Sequence, residues 1–140
     1  MKAVLLKHKA NGVKRVAFGD IFLQDIRAYR EGRLAQVGMR GIFPLWGIDS
    51  AKLGAELIEG GFKAVVCCVD PKQLGSEFCG REYDRSFLDS LPEGVDPCGE
   101  KGEFHTFVYA SPRFREEVRF TRGEVVLRDG FYFADLMPIP

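Results

Sequence analysis

Apolar residues in this chain recur at two spacings, and the change from one to the other marks out its elements. Met1–Ala10 has the look of a short helix, with Asn11-Gly12 as its C-terminal stop. Val13–Phe18 reads as a strand, and the run Val16-Ala17-Phe18 suits a parallel strand covered on both faces. Ile21 to about Val37 follows helical spacing through Ile21, Phe22, Ile26, Tyr29 and Leu34, with Asp25, Arg27, Arg30, Glu31 and Arg33 between them. Gly38 closes it. Gly41–Leu45 predicts a second short strand, ended by Pro44. Asp49 or Ser50 caps a helix that runs to about Glu59, where Gly60-Gly61 stops it. Phe62–Val69 holds an unbroken apolar run and is the clearest strand of the sequence.

Strand, helix, strand, helix, strand at this spacing argues for a parallel α/β sheet. After Asp70 the pattern changes. Gln73–Gly80 is irregular, and Asp84–Ser90 forms a short helix. Phe107–Ala110, Val118–Leu127 and Phe131–Leu136 read as strands, the last two joined at Asp129-Gly130, a strong hairpin signal. The expected fold is therefore α/β, a partial parallel sheet followed by a smaller, mostly antiparallel region. The expected division is 1–80 and 81–140. Three parallel strands leave an edge and part of both faces open, so a further segment or another chain is expected to cover them.

Composition narrows the picture. The 140 residues carry 20 Lys plus Arg and 20 Asp plus Glu, a balance without a global field for nucleic acid or an anionic membrane. No apolar run is long enough to span a bilayer, and the opening residues lack the charged and apolar pattern expected of a signal peptide. Four cysteines without a secretory context read as reduced, cytoplasmic thiols. Cys67 and Cys68 are adjacent in a strand, where alternation would point them to opposite faces.

The densest chemistry lies in Asp96–Phe107. Cys98, Glu100, Glu103, His105 and Thr106 fall there with Gly99 and Gly102 interleaved, on what reads as a loop feeding the strand at Phe107. Exposed carboxylates on such a loop are expected to matter little to stability, and a turn at Gly102 would let Glu100 and Glu103 converge. Cys98 as nucleophile with His105 as base is a further arrangement these residue types allow. No Cys-x-x-Cys or His-x-x-x-His spacing supports zinc, so no metal site is assigned. Gly19-Asp20 ends a strand where α/β sheets hold ligands, so Asp20 with Asp25 can face a nucleotide or substrate, or Asp20 can cap the helix. Arg27 and Arg30 near that end are candidates for phosphate or carboxylate. Neither a Walker loop nor a Gly-x-Gly-x-x-Gly motif occurs.

Several stretches together resemble one family. They are Gly19–Glu31, Phe43-Pro44-Leu45-Trp46-Gly47, Gly61–Val66, Gly80-Arg81-Glu82, Asp96–Phe107 and Asp129-Gly130. Their order is similar to the C-terminal part of the diphthine–ammonia ligases, PP-loop ATP pyrophosphatases of the adenine nucleotide alpha hydrolase-like fold. The resemblance implies a cytoplasmic enzyme that uses ATP with Mg to adenylate a carboxylate and lets ammonia displace AMP to leave an amide. It implies Glu100, Glu103 and His105 as catalytic. It implies Cys98, Gly99, Gly102, Thr106, Arg27 and Arg30 as substrate-binding, and Gly19, Asp20 and Asp25 as cofactor-binding. The partners implied are a small-molecule or modified-protein carboxylate and ammonia. Two departures stand out. The family's Ser-Gly-Gly-Lys-Asp-Ser phosphate loop does not occur, so a PP-loop half is expected in cis or in trans. The family's Glu-Gly-Gly-Glu-Phe/Tyr-Glu-Thr reads here Glu100-Lys101-Gly102-Glu103-Phe104-His105-Thr106, like the bacterial-type branch. The competing expectations are a binding module that works without ATP, or a truncated product with no activity of its own.

Overall fold

The computed structural model describes residues 2–139, so Met1 and Pro140, which the readings above included, lie outside the described residues. The chain folds into two compact units that divide between Asp49 and Ser50.

The first unit begins with α1 (Lys2–Ala10), which ends where Gly12 takes φ +85°. β1 (Arg15–Ala17) and β2 (Arg40–Ile42) pair in parallel, with Val16 opposite Gly41. Between them lies α2 (Gln24–Ala35), closed by Gly38 at φ +66°, whose left-handed turn lets the Met39 N–H return to the Leu34 carbonyl. The core of this unit is small: Leu34, Val37 and Met39 are buried, with Leu5, Val16 and Phe18 packed on them. The expectation that β1 is covered on both faces fails. Val16 packs on Leu34, Val37 and Met39, while Arg15 and Ala17 alternate to the opposite face and are exposed.

The second unit opens with α3 (Ser50–Glu59), stopped by Gly60-Gly61 as its sequence requires. β3 (Lys63–Val69) follows, then a 3₁₀ turn (Ser76–Phe78) and α4 (Arg85–Asp89). Asp84 caps α4, its carboxylate accepting the Phe87 N–H at 2.8 Å. β4 (Phe104–Ala110), β5 (Phe120–Arg128) and β6 (Phe131–Pro138) complete a four-stranded sheet of order β4-β3-β6-β5. Asp129 and Gly130 both take positive φ, 52° and 84°, in the tight turn between β5 and β6.

The mixed α/β architecture is the expected one, a parallel pair followed by an antiparallel sheet. The placement of β3 is not. It pairs antiparallel with both β4 and β6 and takes no part in the parallel sheet. An apolar run reports burial on both faces, and a strand at the centre of an antiparallel sheet meets that condition as well as a parallel one does. Along its first half the backbone of Gly80–Tyr83 pairs with β3 on the side that β6 leaves open. The core lies on one face of this sheet, where Val66, Val69, Phe78, Phe87 and Phe104 are buried. The rings of Phe78, Tyr83 and Phe104 surround Phe87 at centroid distances of 6.0, 5.5 and 5.2 Å.

Candidate functional site

The loop from Asp96 to Glu103 is fixed from within by two buried carboxylates. Glu103 is fully buried. Its Oε1 accepts the Asp96 N–H at 2.8 Å and its Oε2 accepts the Lys101 N–H at 3.0 Å. Asp96 works the same way from the other end. Its Oδ1 accepts the N–H groups of Cys98 and Glu100 at 2.9 and 3.1 Å, and its Oδ2 accepts the Ser50 hydroxyl at 2.6 Å. A buried carboxylate is tolerated when donors converge on it, so the backbone N–H groups of this loop hold the two charges in place. Gly99 and Gly102 make the path possible at φ +68° and +84°. A side chain at Gly99 would also place its Cβ 2.6 Å from the Phe104 carbonyl oxygen.

Two expectations change here. Glu103 is no exposed carboxylate: it turns into the loop and ties both ends together, while Glu100 is half-buried. The strand also begins earlier than its apolar pattern suggests. β4 starts at Phe104, so His105 and Thr106 stand on a strand, paired with Cys68 and Val66.

That placement separates His105 from Cys98. Phe104, Thr106 and Val108 point to one face of β4 and line a cavity of about 90 Å³ together with Cys98 and Tyr83. His105 points to the other face, where it borders a different cleft. The arrangement of Cys98 as nucleophile and His105 as base is therefore not formed. Burial, reinforced by the charge of Asp96, pushes the Cys98 thiol up to about 11, and the thiol donates to the Ser50 carbonyl at 3.2 Å. Such a thiol stays neutral near pH 7 and is a poor nucleophile. Tyr83, raised mainly by burial, donates its hydroxyl to the Pro97 carbonyl at 2.7 Å. Cys67 and Cys68 border one cleft, because the β-bulge between Val66 and Cys68 breaks the expected alternation.

The remaining candidates belong to the first unit. Arg30 Nε lies 2.6 Å from Asp20 Oδ2, an ion pair whose N–H is not aimed along the contact, so both buried atoms lack a directed hydrogen bond. The Arg30 guanidinium also lies 4.6 Å from the Phe18 ring. Arg27 pairs with Glu31 at 3.2 Å and sits between Phe43 and Trp46, at 4.7 and 4.6 Å from their rings. Gly19 and Asp25 are exposed. Asp96, Ser50 and Tyr83 carry more of the loop's geometry than their sequence context suggested. The only signal was an Asp-Pro opening a Gly-rich segment, a common start for side-chain-to-backbone turns.

Residues 49–135 match the diphthamide synthase C-terminal domain family. A zebrafish (Danio rerio) protein named diphthine–ammonia ligase is 31% identical over 140 residues, covering 93% of this chain and 54% of that protein. The proteins of that name from Schizosaccharomyces pombe and Mus musculus are each 28% identical, covering 90% and 93% of this chain and 21% and 50% of theirs. The chain thus spans about half the length of the animal relatives it matches, and about a fifth of the yeast one.

Proposed function

The chain belongs to the diphthamide synthase C-terminal domain family, and on that premise we propose that it is the substrate-side portion of an ATP-dependent, amide-forming ligase. The observation that carries this reading is the loop 96–103, which lies within the family match and is held rigid by Asp96 and Glu103. Rigid positioning of a reacting pair contributes several kcal/mol to such reactions, on the order of 7–11 in well-oriented cases. In this reading Glu100 is the working carboxylate. It accepts a proton from the ammonia nitrogen as that nitrogen bonds to the acyl carbon and the acyl–oxygen bond to AMP breaks, AMP leaving with the electron pair. Glu103 and Asp96 are positioning residues that set where Glu100 and the loop N–H groups stand. Gly99 and Gly102 let the backbone approach the substrate, and Cys98 and Thr106 line the adjoining small cavity as neutral polar groups.

ATP, when bound, supplies activation of the carboxylate as an acyl-adenylate. The residues considered for its phosphates do not fit that task. Arg27 and Arg30 already hold carboxylate and ring partners, and Asp20 and Asp25 bring negative charge beside Gly19. We therefore assign the triphosphate and its Mg to residues outside these 140, in a PP-loop portion in cis or in trans. Diphthine, the substrate in the relatives' name, is the first carboxylate to try, and the four free thiols suit the cytoplasm. Among the described residues no helix is long and apolar enough to cross a membrane.

The test combines the chain with a PP-loop portion, fused or separate, and follows AMP release with a diphthine-bearing protein as acceptor. Release that requires this chain, ammonia and the acceptor together supports the reading. Release that is indifferent to this chain, or to ammonia, overturns it.

A further inference from the structure

The face of the four-stranded sheet turned away from the aromatic core carries a cleft of about 600 Å³ that the ligase reading does not use. The cleft is shallow and open to solvent, so it suits a flat ligand that lies along the sheet. Its centre is a cross-strand row. Cys68 of β3 lies opposite Phe133 of β6 on one side and His105 of β4 on the other. Phe131 and Leu136 extend the apolar surface along β6.

Polar groups stand at the two ends of this row. At the β5–β6 end, Arg128 lies 5.7 Å from the Phe133 ring and 3.8 Å from the Asp135 carboxylate. That separation is beyond hydrogen-bond reach. Among the described residues neither the Arg128 guanidinium nor the His105 ring makes a hydrogen bond. A guanidinium with five donors in a planar fork suits a carboxylate presented edge-on. The ring below it suits a flat apolar body, held by stacking as well as by burial. His105 stands two strand spacings from Phe133, about 9–10 Å away, where its ring nitrogens can donate to or accept from a polar group. A flat ring that carries an acid arm toward Arg128 and a polar group toward His105 lies along that row.

We propose that this cleft is a binding site for small aromatic carboxylates that carry a polar group at the end remote from the acid. Arg128 takes the carboxylate, Phe131 and Phe133 take the ring, and His105 takes the remote group. Asp135 competes for Arg128 and sets the affinity lower than the cleft alone would give. The ligase reading rests on the loop 96–103, which this cleft does not include, so the two proposals are tested separately.

The test is a ¹⁵N–¹H NMR titration of the 140-residue chain with 4-hydroxyphenylpropionate. Phenylpropionate and the neutral 4-hydroxyphenylpropionamide are compared in parallel. Saturable shifts are expected at Cys68, His105 and Phe133, with the amide binding at least tenfold more weakly than the acid. Arg128→Gln should weaken the acid at least tenfold, and Asp135→Asn should tighten it, two changes of opposite sign at one end of the cleft. His105→Ala should remove the advantage of the hydroxylated acid over phenylpropionate. Absence of saturation, shifts confined to other surfaces, equal binding of acid and amide, or an Arg128→Gln variant that binds as well as the parent would each overturn the proposal.

Discussion

Both units open with a helix followed by a strand, yet they bury very different things around that start. In the second unit the central strand β3 is buried along nearly its whole length, and an aromatic cluster fills the space beside it. In the first unit the strands have three residues each, their burial alternates between exposed and half-buried, and the buried core is Leu34, Val37 and Met39. Val4, Leu6, Val13, Phe22, Ile26, Tyr29 and Ile42 remain exposed there. Arginine partly stands in for a core, with Arg27 and Arg30 laid over Phe43, Trp46 and Phe18. The contrast shows that local signals and tertiary burial are separate matters. Helix stops and turn glycines form the expected local geometry in both units, while only the second assembles a deep core around them.

The sharpest way to break this comparison is to remove one buried side chain from each unit. Phe87 is fully buried at the centre of the ring cluster, and Phe87→Ala should cost about 3–5 kcal/mol. Leu34→Ala in the smaller cluster should cost about 2–3 kcal/mol, because a thin core can relax into the space left. Urea titrations of the two variants compare them directly. Equal losses would mean that the two cores carry equal weight.

A smaller effect is expected at the loop. Glu103→Gln keeps the shape but presents an NH₂ group to a backbone donor, leaving one buried N–H without an acceptor. The cost should be about 1–3 kcal/mol. That exceeds the roughly 0.5 kcal/mol usual for a surface carboxylate, the class to which the sequence pattern assigns it. Thermal melts of Glu103→Gln and Glu100→Gln side by side separate the two roles, with Glu100→Gln close to the parent.

The smallest effect concerns reactivity rather than stability. With its thiol pushed up to about 11, Cys98 should be alkylated slowly at pH 7. Its rate should keep rising, about tenfold per pH unit, well past the range in which an ordinary thiol near 8.5 levels off. Iodoacetamide labelling read by peptide mass spectrometry checks this. A plateau below pH 9 would contradict the buried, anion-flanked environment.

Much of the fold was legible because its signals are local. Asp129-Gly130 supplies two positive-φ positions, and the tight turn forms there. Gly60-Gly61 ends α3 within a residue of the expected place. What was not legible depends on partners distant in sequence. An apolar run such as Ala64–Val69 states that both faces are covered but not which way the neighbours run. The start of β4 was hidden because Glu103 reads as a loop residue, although it is buried against its own loop's N–H groups. The candidate site was legible as a location, through its density of polar residues and glycines. The division of labour between Glu100 and Glu103 was not, since it depends on which carboxylate the backbone closes around.

That division of labour is the centre of the account. The decisive measurement is ammonia-dependent AMP release by Glu100→Gln, in the chain combined with a PP-loop portion, alongside its melting temperature. The expected result is a native melt with turnover lowered roughly 100- to 10,000-fold, the usual contribution of a positioned acid or base. Unchanged turnover in a folded Glu100→Gln protein would contradict it and leave the loop as scaffold alone.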